Sequence, residues 1–171
     1  LYGSGLGTLL RSKISENKST IFALEVQDPE RYGVVEFNHN GEVISIEEKP
    51  SKPKSNFAIP GLYFYPNNVI DIAKKVKPSQ RGEIEITSIN NHYFDLKQLE
   101  VQILERGITW LDTGTPDSLA DANEFVKVIE KRTNKKIGCI EEVAFVRGFI
   151  DHKQLIEASK KYKGNDYGKY L

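Results

Sequence analysis

The dipeptide Asn40-Gly41 stands between two apolar, β-branched runs, Tyr32 to Phe37 (YGVVEF) and Val43 to Glu48 (VISIEE). Both turn residues tolerate positive φ, so the stretch predicts a tight hairpin and commits the chain to antiparallel pairing at this point. Thr20 to Val26 (TIFALEV) reads as a strand of a buried sheet, broken by Asp28-Pro29. Asn56 to Tyr65 (NFAIPGLYFY) reads as another. Pro60-Gly61 interrupts it, and a bulge or kink is expected there. Leu99 to Leu104 and Ile108 to Leu111 complete the predicted strands.

Helical spacing appears at Leu6 to Lys13 and at Asn67 to Val76, which Lys77-Pro78 ends. Glu83 to Phe94 is predicted as a helix with Glu83 and Glu85 in its first turn, the right sign for its dipole. Thr115 as N-cap and Pro116 at N1 open a helix to about Lys131. Two more are predicted at Glu141 to Arg147 and Asp151 to Lys160, with a polar, loosely held tail. The class is α/β. A strand-rich portion, residues 1–115, precedes a helical C-terminal extension, residues 116–171.

Composition narrows the chemistry. A chain of 171 residues is long enough to bury a core without disulfide staples, and Cys139 is its only cysteine. The histidines His39, His92 and His152 have no ligand spacing. Lys+Arg and Asp+Glu balance at 24 each, which argues against a nucleic-acid or membrane-surface partner. No apolar run approaches the roughly 20 residues that span a bilayer. A reducing, cytoplasmic setting is the simplest expectation. The chain begins LYGSGLG and holds no methionine, so a fragment lacking an N-terminal part is also expected.

Two constellations stand at predicted strand ends, where ligands of open α/β sheets gather. In WLDTGTP, Asp112 is not needed as an N-cap, because Thr115 fills that role. On residues alone a turn-forming acid is the favoured reading, and the alternative is a carboxylate for Mg²⁺, a hard ion held by one or two carboxylates plus phosphates. In EEKP, Glu48 and Lys49 are neighbours, and strand neighbours point to opposite faces unless the strand is ending, as Pro50 implies. A carboxylate for hydroxyls and an ammonium for phosphate suit a sugar phosphate, although for the pair taken alone a solvated strand end is the favoured reading. Gly33 weakens its strand unless something approaches the backbone closely. Tyr63 and Tyr65 share one face, consistent with ordinary sheet packing, and RGEIEIT (Arg81 to Thr87) reads as a helix start. The chain has no Walker A loop, GxGxxG, GxSxG or HExxH.

Taken together and in order, YGSGLG, DPERYGVVEF, ISIEEKPSKPKSNFAIPGLYFY, RGEIEIT, RGITWLDTGT and CIEEVAFVRGFI closely resemble the sugar-1-phosphate nucleotidyltransferases. The likeness is to the short, tetrameric bacterial glucose-1-phosphate thymidylyltransferase type and covers nearly the whole chain. It implies part of a Rossmann-like nucleotide-diphospho-sugar transferase mixed sheet. The activity implied is Mg²⁺-dependent formation of dTDP-glucose and pyrophosphate from dTTP and glucose 1-phosphate, a first step toward dTDP-rhamnose. By motif match Asp112 is a Mg²⁺ ligand, Glu48 takes glucose hydroxyls and Lys49 holds the sugar phosphate. Gly33 approaches the sugar, Ile59 and Tyr63 line its pocket, and Trp110 packs beside Asp112. Tyr2, Gly3, Arg106, Gly107, Cys139, Glu142 and Arg147 fall on a second nucleotide site at a subunit interface, used for feedback control, for which plain interface packing is the competing reading. The family's glycine-rich triphosphate loop, its base pocket and a second metal-binding aspartate are not among these residues. Ser88 stands where Asp is usual and Pro60 where Thr is common. Alternatives are a UTP- or CTP-dependent relative, or, for the isolated chain, a non-catalytic sugar-phosphate-binding or assembly module.

Overall fold

In a computed structural model, which describes residues 1–15 and 18–171, the sheet is built around β1 (Ser19–Glu25). On one side β1 pairs antiparallel with two successive short strands, β4 (Phe57–Ile59) and β5 (Tyr63–Phe64). Leu24 stands opposite Ala58 and Ile21 opposite Tyr63, so three steps along β1 match five along its neighbour. The surplus falls at Pro60-Gly61-Leu62, which is the interruption expected from the proline. On its other side β1 pairs in parallel with β6 (Leu99–Ile103). The hairpin forms as predicted, with β2 (Gly33–Phe37) antiparallel to β3 (Val43–Glu48), and β2 joins the sheet through β4.

Alternation decides what each strand buries. Ile21, Ala23, Val35, Ile46 and Ile59 form the core of one sheet face, the valine and isoleucines each contributing about 2 kcal/mol by burial. Phe94 of helix α3 (Ile86–Asp95) packs against that face. On the other face Phe22 meets Phe64 edge to face at 5.9 Å. Helix α1 (Leu6–Ser15) is tied to β6 by Lys13 and Glu100 at 2.5 Å. A short helix, α2 (Val69–Ala73), occupies the middle of the predicted Asn67–Val76 segment.

Three expectations need correction. Ile108 to Leu111 is not a strand: among the described residues its one bridge is Thr109 with Tyr2, at 2.7 and 2.8 Å, while the Ile108 N–H closes a turn onto the Glu105 carbonyl. Gly107, at φ +96, turns the chain immediately before it. Glu83 and Glu85 do not lie in the first turn of α3, which begins at Ile86. They fold the preceding loop instead, Glu83 with Arg81 at 3.4 Å and Glu85 accepting from Ser79 Oγ at 2.8 Å. The tail is not loosely held. Tyr162 and Tyr167 both donate to Glu141, at 3.0 and 2.5 Å, and Tyr170 donates to Glu142 at 2.8 Å. Gly168 is required there, since a Cβ would lie 2.3 Å from the Tyr162 carbonyl.

The chain divides into two compact units, Leu1–Trp110 and Leu111–Leu171. The second contains α4 (Pro116–Thr133), α5 (Ile140–Val146), α6 (His152–Ser159) and α7 (Asp166–Tyr170). Thr115 caps α4 as predicted, in a reciprocal pair of bonds with Ser118, and Asn134 closes it in the left-handed region at φ +54. Among the described residues no helix is long and apolar enough to cross a membrane.

Candidate active site

The site lies at one end of the core face in the first unit. Gly33 pairs with Glu48 on one side and with Ile59 on the other, so the three stand in a row across β3, β2 and β4. Since Gly33 and Val35 share a face, as do Glu48 and Ile46, the row continues the buried surface to its edge. All six residues assigned to substrate, Gly33, Glu48, Lys49, Ile59, Tyr63 and Trp110, line a single cleft of about 200 Å³.

The backbone resolves how neighbours Glu48 and Lys49 share that cleft. Lys49 turns into the left-handed region at φ +42, and its N–H donates to the Tyr32 carbonyl at 2.9 Å. The strand therefore ends within one residue, and strand alternation no longer sends the two side chains apart. Gly33 leaves the space between them and the opposing helix. A Cβ there would lie 3.4 Å from both Glu48 Oε2 and Thr87 Oγ1.

Thr87, in the first turn of α3, is buried and donates its hydroxyl to Glu48 Oε2. This orients the carboxylate. The RGEIEIT motif marked a helix start, yet nothing in it showed that the helix would lay Thr87 against a residue 39 positions earlier. Tyr32 was likewise missed. Its ring meets Trp110 edge to face at 4.6 Å, and the Arg31 guanidinium lies over it at 5.2 Å. Burial, and then the Glu48 carboxylate, push the Tyr63 phenol above its ordinary pKa. Tyr63 stacks on Tyr65 and Tyr65 on Tyr93, so the cleft wall is backed by a ladder of rings.

Asp112 belongs to the second unit, two residues beyond Trp110. A Cβ at Gly114 would come within 3.1 Å of its Oδ2, so the glycine keeps room beside the carboxylate. Among the described residues no cluster of three or more His, Cys, Asp or Glu could hold a metal. A single carboxylate fits Mg²⁺ only in its phosphate-completed form.

The residues assigned to feedback control fall into two groups, one in each unit. Gly3 packs so closely on the Gly107 carbonyl that a Cβ would lie 2.7 Å from it, and Tyr2 is bonded to Thr109. Arg106 and Gly107 line a cleft of about 880 Å³. In the second unit Cys139, Glu142 and Arg147 all lie on α5 or its ends. Cys139 is buried, and Glu142 is engaged by Tyr170.

A family model for nucleotidyl transferases matches residues 1–128. The chain belongs to the nucleotidyl transferase family. This member is 52% identical over 170 residues to the glucose-1-phosphate thymidylyltransferase of Mycolicibacterium smegmatis, covering 99% of this chain and 59% of that one. It is 46% identical over 164 residues to the Neisseria meningitidis enzyme of the same name, covering 96% and 57%. The chain thus spans about three-fifths of the length of the curated relatives it matches. Among solved structures, a Bacillus anthracis protein provisionally named glucose-1-phosphate thymidylyltransferase, in complex with sucrose, aligns with TM-score 0.61 at 36% identity. That alignment covers 72% of this chain and 49% of that one. A UDP-glucose pyrophosphorylase complexed with UDP-glucose aligns with TM-score 0.60 at 25% identity, over 72% and 50%. The mixed α/β sheet is that of the nucleotide-diphospho-sugar transferases.

Proposed function

We propose that this nucleotidyl transferase is the sugar-binding and metal-binding part of a glucose-1-phosphate thymidylyltransferase, transferring dTMP from dTTP to glucose 1-phosphate with release of pyrophosphate. One observation carries the reading: a carboxylate and an ammonium at the end of β3, and a glycine gap on the adjacent β2, converge with Tyr63, Ile59 and Trp110 on one small cleft. About 200 Å³ suits a monosaccharide, below the roughly 300–1,000 Å³ of drug-sized sites. Homology to thymidylyltransferases at 46–52% identity favours dTTP over UTP or CTP.

Glu48, held by Thr87, accepts hydrogen bonds from sugar hydroxyls and so fixes the ring. Lys49 offsets the charge of the sugar phosphate, whose oxygen attacks the α-phosphorus of dTTP. The bond to the β-phosphate oxygen breaks, and the electron pair leaves with pyrophosphate. No group on the protein has to form a covalent bond, so catalysis is positioning plus charge neutralisation. Asp112 would hold Mg²⁺, which when bound supplies charge neutralisation of the triphosphate. The reading also carries a cytoplasmic setting, a place at the head of dTDP-rhamnose synthesis, a homotetramer and a second nucleotide site at the feedback residues.

The test is pyrophosphate release from dTTP, glucose 1-phosphate and Mg²⁺. It is run on the 171-residue chain and on a chimera completed with the N-terminal segment of the M. smegmatis relative. The chain alone is expected to bind glucose 1-phosphate without turnover, and the chimera to turn over. In the chimera Glu48→Gln should lower kcat/KM about 10- to 100-fold, as for loss of a charge-assisted bond. Asp112→Ala should cost at least about 100-fold. Turnover unaffected by Asp112→Ala sinks the metal assignment. Glucose 1-phosphate binding unaffected by Glu48→Gln sinks the sugar site.

A further inference from the structure

In the C-terminal half of α4, lysines recur at 127 and 131, and Lys135 follows four residues later, just past the helix end. Side chains four apart on a helix are neighbours, and like charges there repel. Compensation of the helix dipole accounts for the cations of the last turn, Lys131 and Arg132, but not for Lys127 one turn earlier. These three lysines line a cleft of about 660 Å³ together with Lys136 and Lys169. The cleft is formed wholly by the second unit. Five lysines therefore meet two carboxylates, Glu130 and Asp166, in a chain of zero formal charge.

The two carboxylates are already engaged. Glu130 accepts from Lys136 at 2.8 Å and from the Ile137 N–H at 3.0 Å, which holds its carboxyl below the usual range. Asp166 pairs with Lys169 at 3.3 Å. Among the described residues Lys127, Lys131 and Lys135 have no ion-pair partner. Tyr170 adds an aromatic wall whose hydroxyl is anchored to Glu142 at 2.8 Å, and Asn123 and Asn134 add amides.

We propose that this cleft binds a small anion bearing a di- or triphosphate. Three unpaired ammonium groups lining one cleft match an extended multiple charge better than a single phosphate, and lysine binds phosphate as a point charge. The cleft volume lies within the range of nucleotide-sized ligands. None of its lining residues lines the sugar cleft or is among those assigned to feedback control. The proposal stands whether or not the sugar assignment does.

The experiment is calorimetric titration of the 171-residue chain with sodium tripolyphosphate at low ionic strength, with inorganic phosphate alongside. Tripolyphosphate is expected to bind at least about tenfold more tightly than phosphate and to weaken with added salt. The double variant Lys127→Glu/Lys131→Glu should lose at least tenfold in affinity, with its helical circular dichroism unchanged. If charge reversal disturbs the fold, Lys127→Ala/Lys131→Ala/Lys135→Ala makes the same test. Lys75→Ala, which lies in neither cleft, should leave this binding intact. dTTP in place of tripolyphosphate separates a nucleotide from a free polyphosphate, either being the predicted class. Equal affinity for phosphate, retention in both lysine variants, or loss in Lys75→Ala would overturn the proposal. So would tighter binding of a single-stranded RNA.

Discussion

Lys49 occupies a backbone conformation, φ +42, in which a side chain costs about 1–2 kcal/mol relative to glycine. The strain sits where the strand must end abruptly for Glu48 and Lys49 to share a cleft. Lys49→Gly is therefore expected to raise stability by about 1 kcal/mol in urea denaturation. The same change should weaken glucose 1-phosphate binding at least tenfold, because a charge-assisted contact is lost. A variant no more stable than the parent would show that the turn is unstrained. Gly33 tests the opposite case, a residue kept small for room and not for its backbone. With a Cβ at 3.4 Å from Glu48 and Thr87, Gly33→Ala should fold with an unchanged denaturation midpoint. It should still lose about 10- to 100-fold in sugar-phosphate affinity, the loss expected when a polar contact is displaced. Unchanged affinity would mean that the ligand does not enter beside the glycine.

Among the elements, the Tyr63–Tyr65–Tyr93 ladder behind β5 makes stability depend on alkaline pH. Burial first, and then the neighbouring phenols, push Tyr65 up, and burial pushes Tyr93 up. A phenol raised in the folded state holds a proton that the unfolded chain releases above about pH 10. The contribution is fully present below that pH and falls away as pH rises through the folded-state value. The urea midpoint should be level between about pH 7 and 9 and should drop above about pH 10. Tyr65→Phe should make that drop shallower, while costing about 1 kcal/mol near neutrality because Asn90 loses its partner at 2.5 Å. A drop of equal steepness in the variant would remove Tyr65 from the account.

For the whole molecule, the relevant fact is that the 164–170 residues aligned with the M. smegmatis and N. meningitidis relatives cover 57–59% of those proteins' length. Among the described residues, β3 and β6 each have a strand neighbour on one side only. Unpaired strand edges template association, and Ile103 on β6 is exposed. The 171-residue chain by itself is expected to self-associate with rising concentration in sedimentation velocity. Joining it to the N-terminal segment of a relative should suppress this. A chain that stays monomeric at all concentrations would show that these edges are already protected.

Local rules made most of the elements readable. Asn40-Gly41 set the hairpin, Pro60 set the bulge, and Thr115-Pro116 set the start of α4, since each depends only on the φ range and hydrogen-bonding capacity of a few adjacent residues. The six cleft residues were legible only through the order of several motifs; taken singly, Glu48 and Lys49 read as a solvated strand end. What local rules left open was decided by contacts distant in the chain. Thr87 reaches Glu48, Tyr32 braces Trp110, and the tail tyrosines find Glu141 and Glu142. Glu83 and Glu85 serve a loop and not a helix start for the same reason, because Ser79 and Arg81 compete for them. Sequence fixes which groups are available and how the chain can turn. Which of them meet is settled by the register of the sheet and the packing of helices on it, where one partner's position is meaningless until the other's is known.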